Sequence, residues 1–477
     1  MIQNSKTEFI KTLVGFSIVT WVSFIISFIS APVSTRIYSP DVLGKLNIFS
    51  TYSSLLMALV YLGLDQAYVR FYNEPILGKS NKAIFTFCIL ITLFALFLIS
   101  IILIIFNKEI SFALIEEYDI GILVLIILNA FSGIITRYIN LRYRMTYNVK
   151  LYTIQGILDI LIIKILYLAV GFWNPTAKPA IIMMTISRFI VTTMFLLLQR
   201  KEFEFDKSMF KKDFYSEIVK YSLPLVPITF LAWANNSISQ IIMQKMLGFS
   251  KLGIYSVGVG LASIINIIQV GFSNYWTPYV YQNYKDKDNK FWQIHKILIS
   301  VIIMIGLSII LFQDILFILI GEKYRQAKIF FPFLLITPIS YTIALTTGLG
   351  ISISKKTIWD LILFFVNTII NIILCFILIP LFDVVGAALS AAISSIFSLI
   401  IRTIVGEKYF RSIKNYRYIL IGLLLLISMG FANFFLFEKV LLKMIIFSIV
   451  YFCGIIFFRK EIIYLWNNIR IILFYWK

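Results

Sequence analysis

The sequence predicts an all-α polytopic membrane protein with about fourteen transmembrane helices, arranged as two six-helix lobes related by a pseudo-twofold axis plus two C-terminal helices. Three observations carry this. Of 477 residues, 60% are hydrophobic and 14% charged, with a mean hydropathy of +0.91. Such a surface would aggregate in water. Apolar runs of span length recur along the whole chain, and fourteen spans of about 20 residues absorb most of the apolar content. Weak internal similarity also recurs: Leu43-Gly44 matches Leu252-Gly253 and Tyr72 matches Tyr281 at an offset of 209, while Asp159 matches Asn367 and Ser187 matches Ser395 at 208. A parallel repeat of this kind is common in transporters.

In chain order, the expected spans are 9–30, 43–65, 83–106, 120–140, 151–171, 179–199, 218–246, 252–277, 294–320, 328–350, 357–380, 383–404, 417–436 and 440–458. The first is too long for a cleavable h-region and is read as retained. Pro224 and Pro227 set a kink or a helix start in the seventh, and the glycines around Gly258 allow either bending or close packing in the eighth. Residues 460–477 mix Trp with Asn and Arg, and are expected to lie in the membrane interface. The corresponding domains are 1–200, a cytoplasmic linker at 201–217, a second lobe at 218–410, and 411–477 for the two extra helices and tail.

Orientation follows from the basic residues. With the N-terminus inside, cytoplasmic segments hold 30 Lys and Arg, the outer segments 11. Both termini and the charged linker are therefore expected in the cytoplasm. This asymmetry accounts for the net charge of +20 without nucleic acid. Cys88, Cys375 and Cys453 lie in apolar runs, so no disulfide framework is expected. The only histidine, His295, sits among lysines, which excludes a His-based dyad or a zinc site. Neither a metal nor a cofactor is expected. Every outer loop is short, leaving little room for chemistry on exported polymers.

Polar residues concentrate in spans one, two, seven and eight, which should face a cavity, whereas spans three, thirteen and fourteen should be peripheral. The first lobe offers cations, Arg36, Lys164 and Arg188. An Asp159–Arg188 pair is plausible on depth, but it leaves Lys164 over. The second lobe offers amides, Asn235, Asn236, Gln240, Asn266 and Asn371. A cavity cationic on one wall and amide-rich on the other suits a ligand with a phosphate end and a hydroxylated end. Asp65 and Asp159 are the candidates for ion coupling.

Pro32-Val33-Ser34-Thr35-Arg36-Ile37-Tyr38-Ser39-Pro40, followed by Leu43-Gly44, Leu62-Gly63-Leu64 and Arg70-Phe71-Tyr72, resembles the opening of Wzx-type polysaccharide flippases. These belong to the multidrug/oligosaccharidyl-lipid/polysaccharide superfamily. Tyr221-Ser222-Leu223-Pro224-Leu225-Val226-Pro227, Asn235-Asn236 and Gly253-Ile254-Tyr255-Ser256 resemble the second-half signature. The resemblance spans about residues 9–405. It implies transport, without catalysis, of undecaprenyl-diphosphate-linked repeat units across the bacterial cytoplasmic membrane by a monomeric transporter. Expected partners are the lipid-linked oligosaccharide, membrane lipids, a polysaccharide polymerase and glycosyltransferases. Where such families often carry an acidic residue in span seven, this chain has amides. A peptidoglycan lipid-precursor flippase shares these features. A multidrug cation antiporter of the same fold would want acidic cavity residues, and a membrane glycosyltransferase or polymerase would want paired carboxylates that are missing.

Overall fold

A computed structural model describes residues 2–74, 80–205, 211–286, 290–356 and 358–475; for 2–14, 16 and 468–475 only the backbone is described. The chain divides into two compact units, Met1–Gln240 and Ile241–Lys477.

The first unit contains α1 (Ile2–Ile37), α2 (Pro40–Val60), α3 (Leu64–Phe71), α4 (Asn81–Ile105), α5 (Asn107–Ile115), α6 (Ile120–Met145), α7 (Val149–Gly171), α8 (Ala177–Leu198), α9 (Lys212–Ser222) and most of α10 (Val226–Leu247). Side-chain caps start several of these helices by accepting from orphan backbone N–H groups: Ser39 for α2, with Pro40 following, Ser80 for α4, Asp119 for α6 and Asn148 for α7. Chief packing pairs are α7 with α8, α1 with α7, and α6 with α8.

The second unit contains α11 (Phe249–Ala262), α12 (Ile264–Asn283), α13 (Phe291–Leu311), α14 (Gln313–Leu319), a 3₁₀ segment (Glu322–Ile329), α15 (Phe331–Thr347), α16 (Leu349–Ile353), α17 (Ile358–Phe382), α18 (Val384–Tyr409), α19 (Arg417–Phe435) and α20 (Val440–Tyr475). α17 and α15 pack on α18, while α19 and α20 pack on α13. The two extra helices thus join the second unit's core.

Eleven of the described helices are long and apolar enough to cross a membrane, or thirteen when each of two bent pairs counts as one span. The remaining expected span is α10, which has the length but carries the polar run Asn235 to Gln240. The bent pairs are α11–α12, at 41°, and the 3₁₀ segment with α15, at 63°. The first bend falls at Ser263, not at Gly258. A Cβ at Gly258 would lie 2.9 Å from Leu334 Cδ1, so that glycine serves close packing.

Several expectations need correction. The span expected over 43–65 stops at Val60. Leu62 and Gly63 then adopt left-handed φ of 49° and 70°, and Asp65 falls in the first turn of the separate helix α3. A Cβ on Gly63 would meet the Ser222 carbonyl oxygen at 2.4 Å, so this turn is built to let the end of α9 approach. The boundary between units lies within α10 rather than in the linker, because Phe214 and Ile218 of α9 are buried with Leu64, Tyr68, Phe85 and Phe87 in the first unit's core. Start of the linker is also tied down: Glu202 pairs with Arg142 and lies 3.5 Å from Lys82, and Phe203 packs on Phe85. Residues 206–210 lie outside the described set. Pro224 and Pro227 mark a helix start, with a 3₁₀ turn at Leu223–Leu225 before α10. The tail continues α20 as helix to Tyr475. His295, despite the lysines around it, is buried in α13, with Nδ1 2.8 Å from Thr346 Oγ1.

Candidate functional site

Within the first unit, α6, α7 and α8 share a polar seam. Polar residues fall three, four or seven apart, hence on common helical faces: Asn129, Ser132 and Thr136 on α6, Gln155 and Asp159 on α7, and Arg188 and Thr192 on α8. They bond across the helices. Thr136 and Thr192 hydroxyls are 2.8 Å apart, Gln155 Nε2 donates to the Thr136 carbonyl at 3.3 Å, and Arg188 Nη1 donates to Asn129 Oδ1 at 3.3 Å. Arg188 Nη2 lies 3.9 Å from Asp159 Oδ2, the outer limit of an ion pair. Asp159 Oδ1 and Arg188 Nε have no hydrogen-bond partner among the described residues. The guanidinium is therefore only partly satisfied by its neighbours, and a planar fork of this kind is the geometry that matches a phosphate.

Lys164 follows Asp159 on α7, about 10 Å before the helix end at 1.5 Å per residue. Its ammonium sits 5.2 Å from the Tyr167 ring centroid, a cation–π contact, and no carboxylate pairs with it among the described residues. Tyr167 stacks on Tyr38 at 5.8 Å, and the Tyr38 hydroxyl donates to the Tyr167 carbonyl, which joins α7 to the end of α1. Arg36, two residues before Tyr38, is in the last turn of α1 and is exposed.

Asp65 is buried at the start of α3 and lies 3.0 Å from Arg137 Nη2; it also accepts from Gln66 Nε2 at 2.9 Å. Arg137 is the residue that sequence reasoning missed: it lies within the expected span 120–140 but was not among the site candidates, and α6 runs eight residues beyond it to Met145. The available signal was Thr136, Tyr138 and Ile139 around it, an amphipathic helical continuation rather than a loop.

The amides divide between units. Asn235, Asn236 and Gln240 fall in the first, Asn266 and Asn371 in the second. Asn236 is exposed and donates to the Ala232 carbonyl, whereas Gln240 Oε1 accepts from Thr51 at 3.1 Å and Trp233 Nε1 donates to Ser54 at 3.0 Å, fastening α10 to α2. Asn266 is exposed on α12. Asn371 is buried and donates to Ser394 at 3.1 Å. An apolar cleft of about 590 Å³ between α4 and α6, lined by Leu93, Leu96, Phe97, Ile101, Val124 and Phe131, includes none of the expected residues. Among the described residues no group of three His, Cys, Asp or Glu could hold a metal.

In chemical terms, Asp65 is taken by Arg137 and Asp159 is loosely shared by Arg188. Lys164 and Arg36 are left without acidic partners among the described residues. An ammonium at Lys164's depth is costly unless water or an anion reaches it.

Comparison with known proteins bears on the family and the fold. A family model described as polysaccharide biosynthesis protein matches residues 11–284. The capsular polysaccharide biosynthesis protein CapF of Staphylococcus aureus is 26% identical over 192 residues, 39% of this chain and 48% of CapF, so the match spans about half of that relative's length. The fold is similar to that of a solved structure described as lipid II flippase MurJ, inward closed conformation, with a TM-score of 0.70, 16% identity, and coverage of 94% of this chain and 99% of the other. An inward-facing multidrug resistance MATE transporter of the MOP superfamily superposes with a TM-score of 0.56 at 13% identity, covering 81% of this chain and 94% of that one. On the match over residues 11–284, this chain belongs to the polysaccharide biosynthesis protein family.

Proposed function

We propose that the protein flips undecaprenyl-diphosphate-linked oligosaccharide repeat units from the inner to the outer leaflet of the bacterial cytoplasmic membrane, by alternating access, for surface polysaccharide assembly. The observation that carries this reading is Lys164, a cation deep in α7 with no carboxylate paired to it among the described residues. In this reading Arg36, Lys164 and Arg188 contact the diphosphate. Asn235, Asn236, Gln240 and Asn266 offer hydrogen bonds to sugar hydroxyls, which cannot cross hydrocarbon unsatisfied. Asp159, with one oxygen unpartnered, is a better coupling candidate than Asp65, which Arg137 and Gln66 engage. The termini face the cytoplasm, the transporter works as a monomer, and glycosyltransferases and a polymerase act before and after it.

Fold similarity to MurJ over nearly the whole chain favours a second reading, a peptidoglycan lipid-precursor flippase. Depletion in the native bacterium separates the two. The proposed function requires lipid-linked repeat units to accumulate in the inner leaflet while peptidoglycan precursors stay normal. Accumulation of the peptidoglycan precursor instead would establish the second reading and refute the first.

A further inference from the structure

The second unit holds another cationic cluster, remote in sequence from the residues above. Lys443 lies in the first turn of α20. Long lysine side chains normally carry their heads out to water. That of Lys443 does not: the residue is fully buried, and Nζ has no hydrogen-bond partner among the described residues. Its charged neighbours are Lys328, from the 3₁₀ segment, and Asp314, from α14. Lys328 Nζ is 2.5 Å from Asp314 Oδ1, so the one carboxylate is already engaged. Both ammonium groups lie against the Phe437 ring, at 5.4 Å for Lys328 and 5.6 Å for Lys443. Glu438 and Lys439, in the same connector, are exposed and offset each other.

The frame around these charges is fixed. Asn433 Nδ2 donates to the Lys328 and Ile329 carbonyls at 2.7 and 2.9 Å, and Gln313 Nε2 donates to Asn433 Oδ1 at 2.8 Å. Two ammoniums therefore share one carboxylate, and one of them rises from the first turn of α20, the positive end of that helix. Phe435, at the end of α19, and Leu441, in the first turn of α20, are 72% and 80% exposed, as residues at lipid level would be.

We propose that Lys443, Lys328 and the first turn of α20 form a binding site for a phosphate-type oxyanion, with Lys443 the principal ligand. A lipid phosphate headgroup and free phosphate share that chemistry. The site uses none of the residues proposed to contact the cargo.

Thermal unfolding of the full chain in a neutral maltoside detergent tests this. Inorganic phosphate and short-chain phosphatidylglycerol are titrated separately, against sodium chloride at equal ionic strength and a phosphate-free diacylglycerol. The melting temperature should rise with phosphatidylglycerol and not with either control. A rise with phosphatidylglycerol alone identifies a lipid headgroup, and a rise with phosphate as well identifies a site open to the free ion. Lys443→Met should abolish the rise. Lys328→Gln, at a more accessible position that serves if the first variant does not fold, should weaken the apparent affinity about tenfold. No rise with either probe, or an unchanged rise in Lys328→Gln and Lys443→Met, would overturn the proposal.

Discussion

The Asp65 carboxylate lies 3.0 Å from Arg137 Nη2, and the two partners differ in exposure: the side chain of Asp65 is 7% accessible, that of Arg137 39%. Removing either one is therefore not equivalent. Arg137→Ala leaves a buried carboxylate, whereas Asp65→Ala leaves a cation that reaches solvent. One-sided loss of a buried pair costs about 3–5 kcal/mol, and exposure reduces this on the arginine side. We expect Arg137→Ala to lower the melting temperature more than Asp65→Ala, with Arg137→Ala/Asp65→Asn recovering part of the loss. Equal losses in the two single variants would show that the pair is held for another reason.

Lys164 and Arg188 should tolerate exchange of one basic residue for another better than its removal. Lys164→Arg and Arg188→Lys are expected to keep measurable surface polysaccharide, while both alanine variants lose at least tenfold at normal protein level. The reduction should be smaller in Lys164→Arg, since Arg188 also uses its fork on Asn129 and Asp159, which an ammonium cannot copy. Full polysaccharide in Lys164→Ala and Arg188→Ala would remove the anion role of these residues.

Asp119 caps α6, accepting from Gly121 N at 2.8 Å, and meets Lys178 Nζ at 2.5 Å. The hydrogen bond from Lys178 holds its carboxyl below the ordinary carboxylate value, with the backbone N–H groups adding to this. A depressed folded value means stability that is complete above the unfolded pKa of about 4 and is lost as pH falls through the folded one. Asp119→Ala should cost about 1 kcal/mol at neutral pH. The difference from wild type should shrink below about pH 4; a gap that stays constant with acidification would contradict this.

Gly350 and Gly260 make opposite demands. A Cβ at Gly350 would sit 1.9 Å from the Gly406 carbonyl oxygen, a backbone atom that cannot step aside, while one at Gly260 meets nothing within 4 Å. Gly350→Ala should therefore destabilise the α16–α18 contact by several degrees of melting temperature. Gly260→Ala should be neutral or stabilising, up to about 1 kcal/mol, through helix propensity. Stabilisation by both would mean that α16 and α18 do not pack so closely.

Most of the helical frame was legible because a membrane span needs about 20 apolar residues and hides its backbone bonds internally. Breaks were not. Leu62–Gly63 ends α2 early through two left-handed residues, and nothing in hydropathy distinguishes such a turn from a continuing span. His295 and Arg137 fall within the expected spans 294–320 and 120–140, but their partners, Thr346 and Asp65, lie on other helices and could not be read from the sequence. The α10 polar run was recognised in sequence, but its attachment through Trp233 to Ser54 and Gln240 to Thr51 depends on partners 179 and 189 residues away. Of the site, the Asp159–Arg188 approach could be read from depth alone. That Asp65 is engaged by Arg137 could not, because it needs the position of α3 against α6.

Orientation follows from labelling single cysteines in a background lacking Cys88, Cys375 and Cys453. Positions 174 and 356 lie in described connectors, after α7 and α16 respectively. An impermeant reagent added outside should label Asn174→Cys and spare Lys356→Cys. The reverse pattern would invert the orientation and the direction of transport drawn from it.

The most direct measurement is flipping of an undecaprenyl-diphosphate oligosaccharide in proteoliposomes under an imposed potential, without a pH gradient. Each charge moved across 100 mV is worth about 2.3 kcal/mol, so a diphosphate carrying about two charges gains several kcal/mol on export from a negative interior. We expect transport to speed up with a potential negative on the substrate's starting side, and to slow when the potential is collapsed or reversed. Transport indifferent to potential, yet abolished by Asp159→Asn, would contradict charge-compensated passage of an anionic lipid and would place the coupling with protons.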